Sequence, residues 1–98
     1  MPESLYRRLG GAERIAAIVE ESIDRHAVNP LLAPRLRGKD LTQLKELGVE
    51  FLCAAMRLDG AERAAAIDDM VAALRAHGVG AAEVKEVLSI LYALSADP

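Results

Sequence analysis

The stretch CAAMRLDGAERAAA, residues 53–66, joins two helical patterns with only Leu58, Asp59 and Gly60 between them. On its N-terminal side Leu41, Leu44, Leu47, Gly48, Phe51, Leu52 and Ala55 recur every three or four residues, which predicts one helix over 41–57. On its C-terminal side Ile67, Met70, Val71 and Leu74 continue the same period to about His77. Asp59-Gly-Ala-Glu62 reads as a capping box, a side-chain acceptor followed three residues later by Glu, and opens the second helix. Gly78 closes it as a C-terminal glycine. The short junction is the feature to explain. It is either a plain turn between packed helices or the place where a longer segment has been lost.

Outward from there the chain stays helical. Asp40-Leu-Thr-Gln43 repeats the capping pattern before the helix at 41–57. Upstream, Ile15, Ile18, Val19, Ser22, Ile23 and His26 share one face of a helix over roughly 12–27. A short helix over Glu3–Leu9 precedes it, ended by Gly10-Gly11. Asn29-Pro30 predicts a helix restart, Asn as cap and Pro in the first turn, running through Leu36. The last helix, roughly 81–95, carries Val84, Val87, Leu88, Leu91 and Leu94. No strand alternation interrupts the series, so the fold class is all-α, four main helices around one core.

Bulk properties bound the function. The 98 residues suit one domain, 1–98. Hydrophobic residues make up 52% and charged residues 28%, which is the balance of a folded chain. Aromatics are 3%, so aliphatic side chains and Ala must fill the core. A net charge of −3 with bases scattered among acids argues against a nucleic-acid or anionic-membrane surface. One cysteine excludes an internal disulfide and suits a reducing, cytoplasmic setting. The start, MPESLYRRLGG, lacks the apolar run of a signal peptide.

The inventory for catalysis is thin, and no enzyme is expected. There is no Ser/His/Asp set, HExxH, CxxC pair or phosphate-binding loop. His26 continues an apolar face; it is either a metal or haem ligand or, more ordinarily, an interfacial histidine at a helix C-terminus. His77 reads as solvated. Cys53 reads as a small buried hydrophobe, and Met56 and Met70 as core. Asp68-Asp69 reads as a solvated acidic face rather than half a metal site. Gly48, placed inside a helix on its buried side, costs about 1 kcal/mol relative to Ala. Either a neighbouring backbone approaches closely there or a ligand needs the room.

SLYRRLGG at 4–11, NPLLAPRLRGKDLTQLK at 29–45, VEFLCAA at 49–55 and VAALRAHGVGAAEVKEVLSIL at 71–91 resemble, in order, the group I truncated haemoglobins. The resemblance implies a globin-like two-over-two helical sandwich. In that family a histidine between the third and fourth main helices ligates haem. Here that whole element is missing: no histidine lies between Cys53 and Asp69. Relative to the family, Ile23 falls where a tyrosine often stands, Gly48 where a glutamine stands and Leu36 where a phenylalanine wedges the haem. Leu44 matches an apolar distal position. The resemblance therefore makes the junction a deletion scar, with the fold shortened by loss of the haem-proximal helix. Large dry voids cost about 24 cal/mol per Å3, so Gly48 and Ala64-Ala65-Ala66 are expected to let the two central helices close over the former haem space.

The resulting expectation is a haem-free, non-catalytic binding, interaction or sensor module without cofactor or metal. A remnant pocket would be lined by Ile23, Leu36, Leu44, Gly48, Leu52, Ile67 and Met70. Its partner would be a small apolar ligand, another protein, or a second copy meeting a face made of Leu58, Ile90, Tyr92 and Leu94. The alternative is a haem protein for oxygen or nitric oxide with His26 as its unorthodox ligand.

Overall fold

A computed structural model of the chain describes residues 3–96. Seven helices follow one another among these residues: α1 (Leu5–Arg8), α2 (Gly11–Val28), α3 (Ala33–Leu36), α4 (Leu41–Leu47), α5 (Val49–Met56), α6 (Gly60–Ala76) and α7 (Ala81–Ser95). The fold is all-α. No helix among the described residues is long and apolar enough to cross a membrane.

Local chemistry sets most of the boundaries. The Asp40 carboxylate accepts the Thr42 backbone N–H at 2.9 Å and caps α4. At the end of α6, Gly78 takes a φ of +76°. Its N–H donates to the Arg75 carbonyl at 3.0 Å, and the Val79 N–H donates to Leu74 at 3.1 Å. That is a complete Schellman motif, sealed by Val79 packing into the same apolar cluster as Leu74.

Three boundaries differ from those predicted. The single helix expected at 41–57 is two, broken at Gly48, whose φ of 59° and ψ of −124° lie in a region open essentially to glycine alone. A Cβ at Gly48 would meet nothing within 4 Å. The glycine is there for the bend, not for a close backbone approach. Asn29 ends α2 instead of opening the next helix, and its side-chain oxygen accepts the Leu31 N–H at 3.1 Å. The helix starts later, at Ala33, with Pro34 in its first turn. Asp59 makes no side-chain cap on α6. The Glu62 that would complete the box instead pairs with Arg35 on α3.

Helix α2 packs on α6, and α5 packs on both α6 and α7. Alanines make these contacts close: Ala66 and Ala73 are wholly buried. Ile23 from α2 and Met70 from α6 fill the centre, each burial worth about 1.5–3 kcal/mol. The Ser95 hydroxyl donates to the Leu91 carbonyl at 2.6 Å, with the Cys53 carbonyl at 3.2 Å as a second acceptor, so α7 is stitched to α5. The junction 57–59 is a tight turn. Arg57 and Leu58 donate their N–H groups to Ala54 and Ala55, and α6 starts at Gly60.

Candidate functional site

The last turns of α2 bring His26 to the inner side of the helix, on the stripe shared with Val19, Ser22 and Ile23. The residue is 2% exposed. Its Nδ1 lies 2.7 Å from Asp69 Oδ2 on α6. An ionised carboxylate only accepts, so the proton sits on Nδ1 and that nitrogen donates. The Asn29 side-chain amide donates to the same oxygen at 3.1 Å. Asp69 thus holds the imidazole from behind, and Asn29 holds Asp69. His26 Nε2 has no hydrogen-bond partner although it is buried. A buried polar atom without a partner costs about 1–3 kcal/mol, so the fold tolerates a group it does not itself satisfy.

His26 forms part of the wall of a cleft of about 840 Å3 that opens to solvent. Leu32 and Leu36 come from the segment around α3, Leu44 and Leu47 from α4, Phe51 from α5, and Ala66 from α6. Phe51 lies near the imidazole, ring centres 6.0 Å apart. The bend at Gly48 sets α4 and α5 at an angle, so Leu44 and Phe51 reach the cleft from separate helices. Lys45 pairs with Asp24 at 2.8 Å and ties α4 to α2.

Three basic side chains, Arg35, Lys39 and Arg57, and one acidic one, Glu50, also line the cleft. Arg35 is bound to Glu62, and the hydrogen bond from that guanidinium holds the Glu62 carboxyl below its ordinary range. Arg57 Nε donates to the Ser95 carbonyl at 3.4 Å, which leaves its charge without a carboxylate partner among the described residues. Lys39 has no ion pair among them.

The structure places the expected pocket residues in three settings. Leu36 and Leu44 line the cleft. Ile23, Leu52 and Met70 are packed in the core, and Ile67 lies half-buried against it. Gly48 sits at the bend between α4 and α5. The closure expected over this region is incomplete: Ala66 contributes to the cleft wall, Ala65 is buried, and Ala64 faces solvent, so the alanine run does not act as one filler. Met56 and Cys53 are buried as read.

Two readings of acidic and basic residues need correction. Asp69 is not part of a solvated face; it is the carboxylate behind His26. Its register shows why. It stands four residues after Ala65 and four before Ala73, both buried, and so lies on the inward stripe of α6. His77 is half-buried and its Nε2 lies 3.3 Å from Glu21 Oε1. The four residues read as a dimer face lie in different surroundings. Leu58 and Leu94 both line the cleft, and Ile90, Tyr92 and Leu94 are exposed on α7. At 100° per residue, Ile90 and Leu94 flank one side of buried Leu91 and Tyr92 the other. Lys39, Arg57 and Phe51 were not legible as site residues, because their meeting depends on the bend at Gly48. No protein-family model matches the chain, and no curated protein matches it.

Proposed function

We propose that the chain is a truncated-globin-like module that binds a small, mainly apolar ligand and does no catalysis. The pairing of α2 with α6 and of α5 with α7 supports the two-over-two reading. The observation that carries the function is the orphaned Nε2 of buried His26 in the wall of an apolar cleft. With Nδ1–H committed to Asp69, Nε2 of the neutral ring is an acceptor fixed in one orientation. A ligand that brings a hydroxyl or N–H there satisfies it. The cleft volume falls within the ~300–1,000 Å3 range of small-molecule sites. Scattered surface charge supports neither a nucleic acid nor a membrane as partner.

A second reading rests on the same atom. A neutral imidazole whose other nitrogen donates to a carboxylate is the arrangement that orients metal-ligating histidines. In this reading His26 Nε2 would hold the iron of haem, and Lys39 and Arg57 would meet its carboxylates. Haem bound there would supply an iron centre for oxygen or nitric oxide.

Calorimetric titration with decan-1-ol tests the first reading. Saturable binding is expected, weakened about fivefold in His26→Phe, the worth of one hydrogen bond. Ala54→Trp, which fills the mouth from an exposed position on α5, should abolish it. Unchanged binding in both variants would remove the cleft from consideration. Haemin titration with His26→Ala in parallel tests the second: a sharp, saturable Soret band lost in the variant would move haem to first place.

A further inference from the structure

The chain as a whole carries 15 acidic and 12 basic side chains, yet the cleft is lined by Arg35, Lys39 and Arg57 against Glu50 alone. Subtracting Arg35, which Glu62 neutralises, leaves Lys39 and Arg57 facing one carboxylate. The cleft is thus cationic on an acidic protein. The two cations share their walls with Leu36, Leu47 and Leu58. Lys39 is exposed, and among the described residues the Arg57 guanidinium bonds through its Nε alone, to a neutral carbonyl. A charge placed beside apolar surface and given no ion pair among the described residues can meet a ligand anion without first breaking an internal pair.

From this charge pattern we infer that the ligand is an amphiphilic hydroxy-carboxylate: an apolar chain whose hydroxyl donates to His26 Nε2 and whose carboxylate is met by Lys39 and Arg57. This rests on the ligand-binding reading above and adds the anion to it. The body of such a molecule covers the leucines, and its two polar groups meet the orphaned His26 Nε2 and the two cations. A neutral alcohol answers only the first of these. A cationic amphiphile answers the first and is repelled by the second.

The test compares three ligands that share a hydroxyl and a ten-carbon chain and differ at the other end: omega-hydroxydecanoate, decanediol and omega-hydroxydecylammonium. Each is titrated calorimetrically into the wild-type protein, into Lys39→Glu, and into the double variant Lys39→Glu/Arg57→Glu. The carboxylate is expected to bind about tenfold more tightly than the diol, and the ammonium more weakly than either. The double variant should reverse that order, and Lys39→Glu alone, at an exposed position, should take part of the way. Equal affinity for carboxylate and diol overturns the inference and leaves the ligand-binding reading standing. A carboxylate preference that survives both reversals overturns the assignment to Lys39 and Arg57. Binding of none of the three sinks both readings together.

Discussion

Asp69 is the residue on which the site depends most. It accepts from His26 Nδ1 at 2.7 Å and from Asn29 at 3.1 Å, and so connects α6 to the end of α2. Asp69→Ala would leave both ring nitrogens of a buried histidine without partners. The expected loss is about 1–3 kcal/mol in urea unfolding. Asp68→Ala next door is the control, since Asp68 is exposed and its side chain makes no hydrogen bond among the described residues; it should stay within about 0.5 kcal/mol. Equal effects of the two would mean that the carboxylate contributes only surface charge. The histidine's burial was legible in the sequence, because Val19, Ser22, Ile23 and His26 keep helical register. The carboxylate was legible too, had register been weighed above charge: the acid pair Asp68-Asp69 straddles the edge of a buried stripe.

Among the elements, the bend at Gly48 separates a local rule from a tertiary one. Leu41, Leu44, Phe51 and Leu52 keep three-to-four spacing straight through Gly48, so periodicity alone sees one helix. What periodicity cannot see is that the backbone at Gly48 has φ +59°. The two descriptions predict opposite signs for one substitution. In the interior of a continuous helix Gly48→Ala would stabilise by about 1 kcal/mol. At the observed bend it should destabilise by about 1–2 kcal/mol, because an L-residue pays for that conformation even with free space around its Cβ. Chemical denaturation of the single variant decides between them. The caps show the same division. Asp40 and Gly78 act within a few residues of themselves and were read correctly. Asp59 makes no side-chain cap, and Glu62, the other half of the expected box, is taken by Arg35, 27 residues away in sequence and beyond any local rule.

Over the whole molecule, stability is distributed unevenly, and the cleft lies where it is lowest. Helices α3 and α4 bury no residue fully, whereas α6 buries Ala65, Ala66, Met70, Ala73 and Leu74. Leu47 on α4 is 48% exposed. What holds α4 is its half-buried Leu41 and Leu44 against the core and the surface pair Lys45–Asp24, worth at most about 1 kcal/mol. The wall made by α3 and α4 should therefore open locally without global unfolding. In native-state hydrogen exchange, amides of α4 should exchange at free energies well below those of α6, and Lys45→Ala should lower the α4 values alone. A ligand seated in the cleft contacts Leu36, Leu44 and Leu47 from inside, so saturating omega-hydroxydecanoate should slow exchange in α3 and α4 selectively. Uniform protection across α4 and α6 would mean that the wall is as rigid as the core. Entry to the cleft would then proceed only through its existing mouth, beside Lys39 and Arg57.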